Sequence, residues 1–237
     1  MNTRNETFAI VGPPRLTVTV RAGDVKLVPG PEGRIDVTVE GPAADAFRIE
    51  QSGASVAVEA PRDRGFRFRR ADVTVALPAG TDVDLRTTAG DVSSSVDLGD
   101  VSVVATAGDV RLNNAASAAV KTASGDIRLG NVGGDLKVGA ASGDVRVLAV
   151  AGDLDAKTMS GDIDVRSFLG SRCAAGSMAG DIRLGIPPGR TLRVDVQTMS
   201  GDVRNELPFN PGETSKGVDL TVKTMSGDIA LVAADVG

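Results

Sequence analysis

The sequence predicts an all-β fold, a β-solenoid (β-helix) of about 18 residues per coil with two main strands in each coil. Three observations carry this reading. First, Gly-Asp followed by Val, Ile or Leu recurs at Asp91, Asp100, Asp109, Asp126, Asp135, Asp144, Asp153, Asp162, Asp181, Asp202 and Asp228, in steps of 9, 9, 17, 9, 9, 9, 9, 19, 21 and 26 residues. The underlying unit is nine residues, with Ser117-Ala118 and Gly170-Ser171 in two degenerate slots. Second, the units alternate between two kinds, one reading KTASGDI or KTMSGDI and the other VGGDL or VAGDL, so one coil takes two units. Third, apolar residues stand one and three positions after the Asp with a polar residue between them: Ile127 and Leu129 flank Arg128, Val145 and Val147 flank Arg146, Ile182 and Leu184 flank Arg183. That is strand alternation with one wet face. The hand of the coil stays open, the right-handed form being favoured.

Along the chain, residues 1–85 read as irregular lead-in and capping strands and 86–237 as regular Gly-Asp coils, together one elongated domain spanning 1–237. LTVTV, DVKLV, RIDVTVE, SVAVE and DVTVALP all alternate and are separated by Pro- and Gly-containing turns. Asp24 already carries the Gly-Asp-Val signature, which makes the lead-in continuous with the coils. Inward positions such as Thr122, Ala140, Thr158, Thr198 and Thr224 are small or β-branched, and the chain has no Trp, no Tyr and 6 Phe, so the space between the two strand faces is expected to be thin. Two insertions, Gly185 to Thr191 and Asn205 to Gly217, stretch the spacing near the C-terminus and are read as elongated turns, with a partner site as the alternative.

The corners are predicted to be structural: Gly90 and Asp91, Gly108 and Asp109, Gly125 and Asp126, Gly134 and Asp135, Gly143 and Asp144, Gly152 and Asp153, Gly161 and Asp162, Gly180 and Asp181, Gly201 and Asp202, Gly227 and Asp228. Gly supplies a positive φ and Asp accepts from nearby backbone N–H groups. Stacked in register, like carboxylates repel, and Arg or Lys two residues on is expected to neutralise them, as in Asp109 with Arg111, Asp126 with Arg128, Asp135 with Lys137, Asp144 with Arg146, Asp181 with Arg183 and Asp202 with Arg204.

The run VTVALPAGTDVDLRTTAGDV, Val73 to Val92, followed by iterated Ser-Gly-Asp units, resembles the bacterial β-strand-repeat proteins grouped as a domain-of-unknown-function family labelled "putative adhesin". The resemblance covers nearly the whole chain. It implies a solenoid fold and brings no catalytic residues to carry over.

Composition narrows function mostly by exclusion. A net charge of −5 argues against general nucleic-acid affinity. No apolar run is long enough for a membrane span, and no signal peptide or anchor is written, so the expected address is the cytoplasm. Cys173 reads as an inward filler, because the chain contains no His to activate it. Repeats-in-toxin calcium binding shares the 18-residue turn, but here each unit offers one Asp with a cation beside it, so neither a metal nor another cofactor is expected. The reading is a non-enzymatic scaffold or protein-interaction module, self-associating through its ends. The alternatives are a carbohydrate-active β-helix enzyme, a surface adhesin, or a binder of anionic surfaces through Arg62, Arg64, Phe66, Arg67, Phe68, Arg69 and Arg70, whose bland reading is a solvated edge hairpin. The last unit, MSGDIALVAADVG, is expected to form the uncapped edge through which copies meet, so that truncation after Lys223 alters association.

Overall fold

The computed structural model describes residues 2–61, 70–207 and 217–234, and these are all-β: 23 strands and a single 3-10 turn at Ala44–Ala46. Among them no helix is long and apolar enough to cross a membrane. The chain forms two compact units, Met1–Ala116 and Ser117–Gly237.

In the first unit the strands are β1 (Thr3–Ala9), β2 (Arg15–Ala22), β3 (Val25–Pro29), β4 (Arg34–Glu40), β5 (Arg48–Ser52), β6 (Ser55–Glu59), β7 (Asp72–Leu77), β8 (Thr81–Ala89), β9 (Val92–Ser94), β10 (Leu98–Ala107) and β11 (Val110–Leu112). The Gly-Asp coils pair in parallel, with Val110 beside Val92 and Val103 beside Leu85. The strands on either side of the first Gly-Asp pair, β2 and β3, do not lie at an edge. β2 is held between β6 and β8, and β3 between β7 and β9. Antiparallel additions close this end of the unit: β5 on β6, and β4 followed by β1 on β7. A strand edge presents unpaired backbone groups, and switching to antiparallel partners is how the lead-in residues cover it.

The second unit carries β12 (Ala115–Ser124, which begins just before the boundary), β13 (Ile127–Val132), β14 (Leu136–Ser142), β15 (Val145–Val150), β16 (Leu154–Ser160), β17 (Ile163–Phe168), β18 (Arg172–Ala179), β19 (Ile182–Ile186), β20 (Leu192–Ser200), β21 (Val203–Asn205), β22 (Val218–Ser226) and β23 (Ile229–Ala233). Parallel ladders join β12, β14, β16 and β18 in one series and β13, β15, β17 and β19 in the other, with paired residues 18 apart at Ile127 and Val145, Leu136 and Leu154, and Val145 and Ile163. One extra residue, Ser171, follows Gly170, so the degenerate slot is completed by Arg172, whose N–H donates to Asp153 Oδ1 at 3.2 Å.

Beyond β18 the order of the stack departs from the order of the sequence. β22 pairs with both β18 and β20, and β23 with both β19 and β21, so the last coil of the chain is inserted between its two predecessors. The expectation that MSGDIALVAADVG forms the open edge is therefore corrected. Leu220, Val222, Ile229 and Leu231 are buried, whereas Val194 of β20 and Val203 of β21 are 41% and 48% exposed. Most of the insertion Asn205 to Gly217 lies outside the described residues. Burial on both sides stabilises a Val or Leu by roughly 1.5–3 kcal/mol per side chain, and the terminal coil collects this from two neighbours instead of one.

The core is filled by the small and medium side chains the composition supplies. Inward residues are Val, Leu, Ile and Ala, with Phe168 the largest fully buried side chain. At three corners the inward Thr or Ser before Ser/Ala-Gly-Asp has a second use, whereas Thr87 Oγ1 and Thr158 Oγ1 are buried with no hydrogen-bond partner among the described residues. Ser177 Oγ donates to the Gly161 carbonyl at 3.3 Å, Thr224 Oγ1 to that of Gly180 at 3.2 Å, and Thr198 Oγ1 to that of Gly227 at 3.1 Å, tying each rung to its neighbour. The insertion Gly185 to Thr191 is anchored as a turn, for Ile186 is buried and Arg190 donates to the carbonyls of Phe168 and Gly170.

Candidate functional site

The two kinds of corner use glycine differently. Gly90, Gly108, Gly125, Gly143, Gly161, Gly180, Gly201 and Gly227 have φ between 124° and 149°, a region that residues with a Cβ rarely enter. Gly134 and Gly152, expected to share this turn, do not lie there. At Gly152 a Cβ would stand 2.4 Å from the Gly134 carbonyl carbon and 2.5 Å from Asp135 Oδ1, so close stacking excludes a side chain at this corner, without any demand from φ.

The aspartates form ladders. In the first unit Asp72 Oδ1 accepts from the Asp24 N–H at 2.8 Å, Asp24 from Asp91 at 3.0 Å and Asp91 from Asp109 at 2.9 Å. In the second, Asp126 accepts from Asp144, Asp144 from Asp162, Asp162 from Asp181, Asp181 from Asp228 and Asp228 from Asp202, at 2.8–3.1 Å. The other corner does the same where Asp135 accepts from Asp153 at 2.8 Å. One carboxylate oxygen per rung is thus committed to a backbone N–H of the next rung, which gives the carboxylate a structural use at each of these corners. Asp72 escaped the sequence pattern because Ala71 precedes it; the DVTV alternation that follows was the available signal.

Neutralisation of the ladder is incomplete. Arg111 pairs with Asp109 at 2.5 Å, Arg128 with Asp126 at 2.8 Å and Arg146 with Asp144 at 2.7 Å, as expected. Arg204 also pairs with Asp202 as expected, at 3.9 Å and shared with Asp228 at the same distance, but Lys137 reaches Asp155 at 3.9 Å in place of Asp135, and among the described residues Arg183 makes no ion pair with Asp181. Of the Arg-rich strip, Arg62, Arg64, Phe66, Arg67, Phe68 and Arg69 lie outside the described residues, while Arg70 pairs with Asp24 at 2.7 Å and Asp72 at 3.2 Å.

The Asp144 N–H, ahead of Arg128 and Arg146, holds the Asp126 carboxyl below its ordinary value of 3.8. A folded-state value below the unfolded one stabilises above the ordinary carboxylate range and is lost as pH falls through the folded value. Asp126→Asn is therefore expected to melt below the parent at neutral pH, the gap closing by about pH 2; a gap that persists there contradicts the assignment. Burial pushes the Cys173 thiol up to about 12, which leaves it protonated and inert, in keeping with a filler.

Two surfaces of the second unit remain open. One is the β20–β21 edge, which among the described residues pairs on one side only. The other is a groove of about 870 Å³ on the outer side of β15, β17 and β19. Leu148 and Leu169 flank it, 44% and 48% exposed. Arg166 and Arg183 reach it without an ion pair among the described residues, and Asp164 contributes an Oδ1 that is buried with no hydrogen-bond partner. No group of three His, Cys, Asp or Glu among the described residues is arranged to hold a metal.

Comparison with known proteins places this architecture. The family model described as Toastrack DUF4097 matches residues 14–232. The chain belongs to the Toastrack DUF4097 family. This confirms the adhesin-type repeat grouping to which the Gly-Asp units pointed. A "putative adhesin" from Bacteroides fragilis is similar over 98% of this chain and 97% of its own, at 11% identity and a TM-score of 0.53. A "putative lipid binding protein" from Parabacteroides distasonis is similar over the same shares, at 16% identity and a TM-score of 0.55. At such identities the likeness is one of fold. No curated protein matches the chain.

Proposed function

We propose that this Toastrack chain is a non-enzymatic interaction module, built on right-handed coils of about 18 residues, that associates with a second copy through the β20–β21 edge. The coil length is supported by the 18-residue offset between neighbouring rungs. The observation that carries the association is the state of the edge coil. Its core-facing Val194 and Val203 are half-exposed, while their counterparts one rung inward, Leu220 and Ile229, are buried. A second copy adding a strand there pairs the free backbone groups and completes the apolar layer in one step. The non-enzymatic reading is supported by the occupation of the corner carboxylates and by the protonated state of Cys173.

Size-exclusion chromatography with light scattering tests it. Dimers or short assemblies are expected at tens of micromolar, and Val194→Lys is expected to give a monomer of unchanged melting temperature. A strict monomer in the parent protein overturns the proposal.

A second reading is favoured by the groove: two guanidiniums that make no ion pair among the described residues, beside exposed leucines, suit an anionic amphiphile. The lipid-binding description of the Parabacteroides distasonis neighbour is compatible with it. Retention on vesicles of anionic over neutral lipid, lost in Arg166→Gln with Arg183→Gln, is the outcome that supports this reading, and equal retention rejects it.

A further inference from the structure

The sequence contains 5 Met, and apart from Met1 all of them fall at the same position of the repeat, two residues before the corner glycine: Met159, Met178, Met199 and Met225. The ladders bring these four into one column. Met159 lies level with Met178 between the pairs Thr158 with Ser177 and Ser160 with Ala179. Met178 lies level with Met225 between Ser177 with Thr224 and Ala179 with Ser226, and Met225 with Met199 between Thr198 with Thr224 and Ser200 with Ser226. The spatial order is thus 159, 178, 225, 199, four adjacent rungs without a gap. Ala123 and Ala141 occupy the same position on the two preceding rungs of this unit. Alternation turns the column outward, and its members are 56%, 49%, 49% and 80% exposed in that spatial order. Apolar side chains held in solvent on consecutive rungs contribute little to the core they point away from, while Ala at the equivalent positions shows that the corner does not require Met.

We propose that this column is a binding site for a soft monovalent cation, Cu(I) or its probe Ag(I), held by thioether sulfur. Thioethers are soft ligands that select Cu(I) over the harder divalent ions. Neighbouring strands stand about 4.8 Å apart, and two metal–sulfur bonds of about 2.3 Å laid end to end span about 4.6 Å. Adjacent rungs therefore offer a two-coordinate site with little movement of the backbone, and the three rotatable bonds of each Met let a third sulfur converge.

The electrostatic surroundings suit a cation. The lysines two residues upstream on the same outer face are neutralised, Lys157 by Asp155 at 3.0 Å and Lys223 by Asp195 at 3.4 Å. Of the corner carboxylates three residues downstream, Asp162 and Asp181 have no ion pair among the described residues, and Asp202 and Asp228 share one distant guanidinium. Asp162 is followed by Asp164 where other units have Arg, Arg183 makes no ion pair among the described residues, and Arg204 keeps 3.9 Å from Asp202 and Asp228. The tight Asp–Arg pairs at Asp126 and Asp144 belong to the coils that carry Ala123 and Ala141. The methionine rungs thus carry four carboxylates against the single Arg204 that pairs with any of them among the described residues, which raises the local attraction for a monovalent cation.

The test is anaerobic titration of the full chain with Cu(I) against a chromophoric Cu(I) chelator, and with Ag(I) by calorimetry. About one to two equivalents are expected to bind. The variant with all four Met replaced by Leu, which keeps the apolar volume at exposed positions, is expected to melt as the parent does and to bind on the order of 100-fold more weakly or not at all. Met178→Leu, which breaks the column in its middle, is expected to weaken binding more than Met199→Leu at its end. Cys173→Ala is expected to bind as the parent does. In a spectrum of 13C-methyl-labelled methionine, Ag(I) is expected to move the four column resonances and leave that of Met1 in place. Binding that survives the fourfold Leu variant, is lost in Cys173→Ala, or leaves the column resonances unmoved overturns the proposal, as does failure of the parent to compete for either ion.

Discussion

Gly161→Val is expected to destabilise the protein by about 4 kcal/mol or more, whereas Asp162→Asn next to it costs about 1 kcal/mol. Two demands meet at Gly161. Its φ is 138°, and an added Cβ would stand 2.2 Å from the Gly143 carbonyl oxygen and 2.7 Å from its carbon. The obstructing atoms are backbone, and they belong to a corner where an added Cβ would likewise stand 2.2 Å from the Gly125 carbonyl oxygen, so no flexible side chain can yield. Relief would require the rungs to separate, with loss of the Asp162 N–H bond to Asp144 and of the Asp181 N–H bond to Asp162. Asn at 162 keeps an oxygen that accepts from Asp181 and gives up only charge at an exposed corner. Gly176→Ala is the matched control. Gly176 has no positive φ and its nearest neighbour for a Cβ is the Lys223 oxygen at 3.7 Å, so Ala is expected to be neutral or stabilising by roughly 0.5 kcal/mol. Urea denaturation measures all three. Equal losses for Gly161→Val and Asp162→Asn would mean that the aspartate charge holds the corner.

Leu220→Ala is expected to cost about 2–5 kcal/mol and Val194→Ala under about 1 kcal/mol. The ranking tests the inserted coil. Leu220 is 1% exposed between Cys173 on one side and Val194 on the other. Val194 has a ladder partner on one side only among the described residues. Were the coils stacked in sequence order, Val194 would be interior, Leu220 would lie at the edge and the ranking would reverse. Truncation after Lys223 removes β23 and is accordingly expected to abolish cooperative unfolding of the second unit, where an edge coil would have left the fold intact. Chemical denaturation of the two substitutions and of the truncated chain distinguishes these arrangements.

Individual residues show how far the sequence carries. The alternation of Ile127, Arg128 and Leu129 assigned inside and outside correctly, because side-chain direction in a strand follows from neighbouring residues alone. The positive φ at Gly161 was legible for the same reason. At Gly134 and Gly152 the same dipeptide stands in a different corner, and only the stacking of one coil on another distinguishes it. Asp181 with Arg183 has the spacing of Asp144 with Arg146, yet only the second closes to an ion pair. The methionine column was written in four near-identical units, but its continuity depends on which unit stacks on which.

What the sequence by itself determined is the all-β strand grammar, the period of the repeat and the corner chemistry, each of which rests on interactions between residues close in the chain or repeated at a fixed period. The tertiary structure alone decided the order of the stack. SMAGDI, TMSGDV and TMSGDI offer the same pairing surface, so local sequence is degenerate among them. Placing the last coil between its two predecessors buries that coil from both sides, and this free-energy difference arises only once strands far apart in the chain have met.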